Sequence, residues 1–291
     1  MEPDRAEDSR TGEMVGERYQ VGTLIGRGGH GDVYRAIDVM EGRRVAIKFL
    51  ASHLAKDSDY RLRLVREARA MSALEGRGTL EVMGLISADD GSLCLVMELL
   101  EGMDLAQAIQ ERRAAGKPFS LDEVMTLFMP VVGTLDRAHA RDIIHRDLKP
   151  SNIYIVGGNL ADPRIMDFGL AKTGDLQAIT ADRMLAGSPS YVAPEIWKEG
   201  ARAADARSDV YSLAVVMYQT LTGDVPIYRE SLVDMLLAVT TPGNIPSLHK
   251  ARPELPEAVD DWAEQAFAID PANRFQTVVG MWRAFRAVTR R

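Results

Sequence analysis

Residues 144 to 152 read IHRDLKPSN, and a shorter stretch, DFG, follows at 167 to 169. The first stretch contains Asp147, Lys149 and Asn152 on what its proline and polar residues indicate is a loop. Asp167 follows the short run Arg164–Met166 and is therefore expected at the end of a strand. The spacing places Asp147 and Asn152 on one edge of the loop, with a second carboxylate arriving from the strand.

This set of side chains has the chemistry that phosphoryl transfer requires. An aspartate can orient a hydroxyl nucleophile, a lysine can steady the moving phosphoryl group, and an asparagine and a second aspartate can hold magnesium. Any one of these residues alone is equally consistent with a solvated turn. The joint arrangement favours the catalytic interpretation.

The bulk composition is that of a soluble globular chain with room for one large domain or two lobes. The chain has 291 residues, of which 46% are hydrophobic and 26% charged. A net charge of -7 argues against a general nucleic-acid binder. No apolar run reaches the roughly 18 residues of a membrane span, and the N-terminus has no apolar segment typical of a signal peptide. Cys94 is the only cysteine, which predicts a reducing, cytoplasmic setting.

The hydrophobic pattern divides the chain into a strand-rich part and a helix-rich part. Residues 1–17 are polar and are expected to form a disordered tail. Strands are predicted over 19–50 and 80–100 because apolar residues alternate there between turn signals. Apolar residues at helical spacing predict helices over 60–74, 121–140, 209–221, 258–268 and 277–288.

These elements predict one domain of the α+β class over residues 18–290. We expect a small β-rich N-lobe at about 18–98, a hinge at about 99–102 and a larger helical C-lobe at about 103–290.

A glycine-rich motif, G-x-G-x-x-G-x-V, lies in the first predicted hairpin and comprises Gly26, Gly28, Gly31 and Val33. Glycines let a turn lie close over phosphates and offer backbone N–H groups to them. A dinucleotide site would need a helix after the turn, whereas here a strand continues. Taken alone, the motif is also consistent with a plain hairpin turn.

Lys48 ends the strand sequence VAIK at 45 to 48. A lysine on a strand is ordinarily a solvent-facing residue. Glu67, however, lies on the apolar stripe of the next predicted helix, where an unpaired carboxylate would be costly. A Lys48–Glu67 ion pair would satisfy it and direct the ammonium toward nucleotide phosphates.

The ordered set of motifs resembles the eukaryotic-like (Hanks-type) serine/threonine protein kinases over about residues 18 to 290. The set comprises the glycine-rich loop, VAIK, HRD at 145–147, DFG and APE at 193–195. Lys149 and the pair Gly187-Ser188 resemble the serine/threonine branch rather than the tyrosine branch. The compact, Ala- and Arg-rich style of the chain indicates a bacterial member. The resemblance implies a bilobal protein kinase-like fold.

The resemblance also implies a role for each matching residue. Asp147 would be the catalytic base, Lys149 and the Lys48–Glu67 pair would act on the phosphates, and Asn152 and Asp167 would bind Mg²⁺. The implied cofactors are therefore ATP and Mg²⁺. The implied partners are protein substrates with serine or threonine acceptors, and self-association would serve autophosphorylation.

The nucleotide would be held by residues of both lobes. Backbone groups of Glu98 and Leu100 would meet adenine, with Met97 as the gatekeeper. Asp104 is placed to meet the ribose. The residues expected to enclose the nucleotide are Gly26, Gly28, Gly31, Val33, Ala46 and Tyr154. Tyr154 departs from the family, in which a leucine, methionine or valine usually packs under the adenine.

Two structural pairings and one regulatory loop follow from the same resemblance. Glu195 would pair with Arg274, and Asp209 would brace the catalytic loop. The loop 170–192 is expected to be mobile and controlled by phosphorylation, since Arg146 beside the base can receive a phosphate. Thr180 is the leading acceptor and Thr173 the second.

Two other functions are consistent with parts of this motif set. A nucleotide-binding pseudokinase or scaffold usually lacks the lysine, the base or a metal ligand, and all of these are present here. A small-molecule phosphotransferase of the antibiotic-kinase type shares a His-x-Asp loop. It normally lacks both the glycine-rich loop and the APE segment.

Overall fold

The computed structural model describes residues 10–28, 31–50, 74, 78–168 and 189–290. The predicted helix over 60–74 lies almost wholly outside this range, and so do Glu67, Thr173 and Thr180. The chain divides into two compact units between Glu101 and Gly102, with residues 78 and 79 belonging to the second unit.

The first unit is built on a six-stranded antiparallel sheet with the order β1-β2-β3-β4-β6-β5. Its strands are β1 (Met14–Val15), β2 (Tyr19–Gly28), β3 (Gly31–Asp38), β4 (Arg43–Leu50), β5 (Val82–Ser87) and β6 (Leu93–Glu98). Turns at 40–42 and 89–91 connect β3 to β4 and β5 to β6.

One face of this sheet carries a continuous hydrophobic core, because alternate residues of each strand point to the same side. The core contains Val45, Ile47 and Phe49 of β4 together with Tyr34 of β3 and Cys94 of β6. The intervening position, Lys48, therefore lies on the opposite face.

The segment before residue 18 differs from its prediction. The sequence predicted a disordered tail over residues 1–17. Within the described residues, 10 to 17 instead fold onto the sheet, where Met14 pairs with Gln20 and Val15 with Tyr19. The polar composition concealed a single apolar anchor, Val15, which is completely buried.

The second unit contains a small sheet, β7-β8-β9, and all the helices of the described residues. The strands are β7 (Gly102–Asp104), β8 (Ile153–Val156) and β9 (Pro163–Ile165). The helices are α1 (Leu105–Ala114), α2 (Leu121–His139), α3 (Pro194–Glu199), α4 (Ala206–Thr222), α5 (Leu232–Thr240), α6 (Leu248–Ala251), α7 (Ala258–Ala266) and α8 (Val278–Thr289).

Helix α4 is the central helix of this unit, and nearly all of its faces are buried. It begins three residues before the predicted start at Asp209. Asp205 caps it by accepting a hydrogen bond from the Arg207 amide, and the Ser208 hydroxyl completes a capping box. The start of the helix places Asp209 in its first turn, where it meets the loop that contains His145 and Arg146.

Candidate active site

The catalytic loop runs from the end of α2 to a short 3₁₀ helix, Pro150–Asn152, that leads into β8. Two residues here have unusual backbone conformations. Arg146, within this loop, has φ 63°, and Asp167, which follows β9, has φ 51°. Non-glycine residues rarely adopt positive φ, and they persist there only when surrounding contacts hold them. The buried Asp209 supplies that support at Arg146 by accepting a hydrogen bond from its amide.

Asp209 holds the loop through its backbone. The carboxylate is fully buried and accepts hydrogen bonds from the amide of His145 at 2.8 Å and the amide of Arg146 at 2.9 Å. It also lies 2.7 Å from Nε2 of His139 at the end of α2. The bracing role predicted for Asp209 is therefore visible in the structure. His139 was not predicted from the sequence.

His145 connects the HRD stretch at 145–147 to the DFG stretch at 167–169. Its Nδ1 accepts a hydrogen bond from the Asp147 amide at 3.2 Å, and its Nε2 donates to the Met166 carbonyl at 3.0 Å. The ring also packs 4.7 Å from the ring of Phe168. Burial lowers the pKa of His145, although the nearby carboxylates, led by Asp209, oppose that shift. A neutral imidazole is the form that can donate and accept at once.

Asp147, Asn152 and Lys149 converge at the edge of the loop. The Asn152 side-chain amide donates to the Asp147 carbonyl at 2.8 Å and lies 3.4 Å from its Oδ2. Lys149 Nζ lies 3.2 Å from the same Oδ2. Both charged side chains are partly exposed, at 23% for Asp147 and 20% for Lys149. The Asp147 carboxylate is thus approached by two donors while it remains partly exposed to solvent.

Asp167 is brought to Asn152 by the backbone. Met166, the residue before it, donates its amide to the Asn152 carbonyl at 2.9 Å, and Ile165 pairs with Ile153. Since the Asn152 Nδ2 is bonded to Asp147, its Oδ1 is the atom left to act as a ligand. An amide oxygen and a carboxylate are the hard oxygen donors that Mg²⁺ prefers. These residues therefore fit Mg²⁺.

Three residues that are predicted to bind the nucleotide lie on the sheet of the first unit. Lys48 pairs with Val33 on one side and Leu95 on the other, and Ala46 lies two positions earlier opposite Met97. Val33, Ala46 and Lys48 are consequently neighbours on adjoining strands.

The glycine-rich loop closes between Gly28 and Gly31, which pair as β2 meets β3. Gly31 has φ 133°, and a Cβ added there would lie 1.8 Å from the Phe49 carbonyl oxygen. Only glycine fits this position, because both the conformation and the close approach exclude a side chain.

Three further residues that are predicted to bind the nucleotide have contacts that the sequence did not reveal: Glu98, Asp104 and Tyr154. The Glu98 amide donates to the Glu81 carbonyl, so a contact of Glu98 with adenine would use its carbonyl oxygen. Asp104 accepts a hydrogen bond from the Gln107 amide and is the N-cap of α1. It pairs across the small sheet with Tyr154. Leu100 follows β6 in the first unit.

The predicted pair between Glu195 and Arg274 is present and buried. Arg274 Nη2 lies 3.0 Å from Glu195 Oε2, and the arginine side chain has no solvent exposure. The Ser208 hydroxyl donates to the same carboxylate at 2.7 Å, a partner not predicted from the sequence. Arg274 also donates to the carbonyl oxygens of Ala268 and Arg207. This network fastens the APE segment to α4.

Comparison with known proteins identifies the family. The protein kinase domain family matches residues 19–281. The chain belongs to this family. The family resemblance expected from the sequence is confirmed, and so is the α+β fold class.

Among curated proteins, the chain is similar to bacterial serine/threonine-protein kinases. It is 33% identical to PrkC of Bacillus subtilis over 93% of this chain and 40% of that protein. It is also 33% identical to PknL of Mycobacterium tuberculosis over 94% of this chain and 66% of that protein. The chain thus spans about two fifths of the length of PrkC and about two thirds of that of PknL.

Among solved structures, the chain is similar to the kinase domain of PknI from Mycobacterium tuberculosis. The TM-score is 0.73 at 28% identity, with 95% of this chain and 98% of that chain covered. Within the described residues, no helix has both the length and the apolar character needed to cross a membrane.

Proposed function

We propose that the chain is an active serine/threonine protein kinase that transfers the γ-phosphate of ATP to serine and threonine hydroxyls of proteins. The observation that carries this proposal is the convergence on Asp147: Asn152 and Lys149 both approach its Oδ2. Asp167 joins them because the Met166 amide is bonded to Asn152. General base, phosphate-stabilising cation and metal ligands are all supplied by one loop and the strand beside it.

In the proposed reaction, the hydroxyl oxygen of the acceptor attacks the γ-phosphorus while its proton passes to the Asp147 carboxylate. The bond to the bridging oxygen of ADP breaks, and ADP leaves. Lys149 reduces the negative charge that develops on the transferred group. Asn152 and Asp167 would hold Mg²⁺, which when bound neutralises charge on the phosphates.

Nucleotide binding is proposed for the first unit and for the small sheet of the second. Lys48, Val33 and Ala46 occupy adjoining positions on β3 and β4, next to the glycine turn that includes Gly26, Gly28 and Gly31. Lys48 would contact the phosphates with Glu67 as its partner. The other residues proposed to contact ATP are Glu98 and Leu100 of the first unit, and Asp104 and Tyr154 of the second.

Two observations favour this function over the alternatives. A pseudokinase would be expected to have lost part of the catalytic set, whereas Lys48, Asp147, Asn152 and Asp167 are all retained. A small-molecule phosphotransferase would not be expected to keep the APE segment. Here Glu195 of that segment is fixed by the buried Arg274.

Self-association and a cytoplasmic setting are part of the same proposal. A kinase that phosphorylates its own loop in trans requires two copies to meet. The rate of autophosphorylation per molecule should then rise with protein concentration, and a rate independent of concentration would indicate a reaction within one copy.

The experiment that tests this function identifies the phosphorylated product. The protein is incubated with Mg²⁺ and γ-labelled ATP together with casein, and the labelled protein is hydrolysed to its phosphoamino acids. We expect label in phosphoserine and phosphothreonine. Label in phosphotyrosine would contradict the acceptor assignment. Tight ATP binding without any labelled protein would support the pseudokinase instead.

A further inference from the structure

The N-terminal segment of the described chain folds back onto the sheet of the first unit. The segment 10–15, termed here the N-terminal clasp, is attached to β2 by two backbone hydrogen bonds. Gly12 donates its amide to the Val21 carbonyl at 2.8 Å, and the Val21 amide donates to the Glu13 carbonyl at 2.9 Å. Val15 is fully buried in the core that contains Phe49. The clasp is therefore an integral part of the sheet.

Arg10 is the residue of the clasp that reaches farthest across the sheet. Its guanidinium lies 4.3 Å from the centre of the Phe49 ring. Nη2 donates to Asp90 at 2.7 Å and to the Ser92 hydroxyl at 3.0 Å, both in the turn between β5 and β6. Nη1 donates to Glu13 at 3.1 Å. One side chain thus joins the clasp, the end of β4 and the β5–β6 turn.

Asp90 remains a charged partner for this arginine at neutral pH. Hydrogen bonds from the amide and hydroxyl of Ser92, and then from Arg10, lower the pKa of Asp90 to about 2. The Arg10 side chain is only 23% exposed, so its contacts are partly shielded from water. Partial desolvation strengthens a cation–π contact relative to a fully exposed one.

Phe49 adjoins both elements of the first unit that are proposed to bind phosphates, Lys48 and the glycine turn. It directly follows Lys48, and its pairing with Cys94 is the last between β4 and β6. Its carbonyl oxygen is also the atom that Gly31 approaches so closely that a Cβ would collide with it. A shift of Phe49 at the end of the ladder would move Lys48 and the glycine turn together.

We propose that Arg10 is a positioning residue for nucleotide binding. By fastening Phe49 to the β5–β6 turn, it holds Lys48 and Gly31 in the register that receives the phosphates. Arg10 contributes in this way to the affinity for ATP without contacting the nucleotide. The proposal rests on the function proposed above, in which Lys48 and the glycine turn bind ATP.

The test separates affinity from turnover in the whole chain. Wild type, Arg10→Ala and Arg10→Lys are compared for the KM of ATP, for kcat at saturating ATP and for the Kd of a fluorescent ATP analogue. Arg10→Ala should raise KM and Kd roughly three- to tenfold, the range that the loss of one partly buried cation–π contact corresponds to. The kcat should change less than about twofold, because the catalytic loop is in the other unit. Arg10→Lys keeps a cation over the ring, so its KM and Kd should lie between those of the wild type and those of Arg10→Ala.

Arg43→Ala is the matched control. Arg43 is a partly exposed arginine at the opposite end of β4, ion-paired with Glu41 at 2.9 Å. The Arg43→Ala variant should keep the wild-type KM and Kd for the nucleotide. If Arg10→Ala does not fold, Asp90→Asn, which weakens the same anchor, is measured in its place with the same expected shift in KM.

The outcomes distinguish the two proposals. An active wild type whose Arg10→Ala variant is folded and keeps the wild-type KM would overturn the positioning role of Arg10 alone. A loss of kcat with unchanged KM would overturn it as well, and so would equal shifts in Arg43→Ala. A wild-type protein that binds no ATP would instead contradict the proposed function itself.

Discussion

The carboxylate of Asp209 fixes the backbone of Arg146, the residue immediately before the proposed base. Its Oδ1 accepts the Arg146 amide at 2.9 Å, while Oδ2 accepts the His145 amide and contacts His139. Arg146 adopts a positive φ that this contact sustains. The backbone that leads into Asp147 is therefore held by the buried helix α4.

Replacing Asp209 by asparagine should disturb catalysis and folding together. One of the two backbone amides would face the new NH₂ group instead of an oxygen, leaving a buried donor unsatisfied at a cost of about 1–3 kcal/mol. We expect the free energy of unfolding to fall by that amount and kcat to fall at least about tenfold. Urea unfolding and initial-rate kinetics measure the two effects. Asp224→Asn, an exposed aspartate paired with Arg113, is the control and should change neither.

The buried pair of Glu195 and Arg274 should be far more important for stability than surface pairs. Arg274→Ala leaves a buried carboxylate without its cation, and breaking such a pair costs about 3–5 kcal/mol. Arg113→Ala breaks a pair whose two side chains are each 63% exposed, which should cost at most about 1 kcal/mol. Both values are measured by urea unfolding. Equal losses in the two variants would show that burial does not set the contribution of the pair.

Stability should decline as the pH falls below about 6.5, the ordinary pKa of histidine in an unfolded chain. Burial lowers the pKa of His145 in the folded state, so the unfolded state binds an additional proton once the pH drops below that value. The contribution of His145 to the free energy of unfolding is complete above about pH 6.5. It is lost as the pH falls from that value toward the pKa of His145 in the folded state, at up to about 1.4 kcal/mol per pH unit. Unfolding free energies from pH 7.5 to 5 measure this slope. His145→Gln should flatten it, and an unchanged slope in that variant would assign the proton to another group.

Phosphorylation of the loop 170–192 should raise activity through Arg146. The Nε of Arg146 is buried and has no hydrogen-bond partner among the residues that the structure describes. A phosphate brings about −1.5 to −2 charges and could pair with this guanidinium. After incubation with Mg-ATP, mass spectrometry should find phosphate at Thr180 first and Thr173 second, and Thr180→Ala should be less active. Arg146→Ala should abolish the stimulation. Full activity of Thr180→Ala with no phosphate in the loop would contradict this prediction.

Much of the fold could be predicted because strand and helix periodicities are local properties of the sequence. Alternation around Lys48 predicted β4 and its neighbours, and apolar residues at helical spacing predicted most of α4. The N-terminal clasp was missed because its attachment depends on one buried residue, Val15, and on Arg10 reaching partners 80 positions away. Such contacts have no local signal.

The candidate site was predicted through its motifs, whereas its supporting contacts were not. Asp147, Lys149 and Asn152 are close in sequence, so their convergence follows from the loop itself. His139 and Ser208 support the site from other elements, and their partners lie far along the chain. The Asp205 cap that advances α4 could have been found, since an aspartate just before an apolar helical run is a local helix-start signal.

The most direct test of the proposed function compares phosphoryl transfer by the wild type and by Asp147→Asn. Label from γ-labelled ATP is followed into casein at saturating Mg-ATP, with Asp142→Asn as the control. Asp142 is an exposed aspartate five positions earlier with a positive φ, a conformation that asparagine adopts as readily as aspartate. We expect Asp147→Asn to lower the rate by about 10²–10⁴, the contribution of a general base, while Asp142→Asn keeps the wild-type rate. Near wild-type transfer by a folded Asp147→Asn variant would contradict the assignment of Asp147 as the catalytic base.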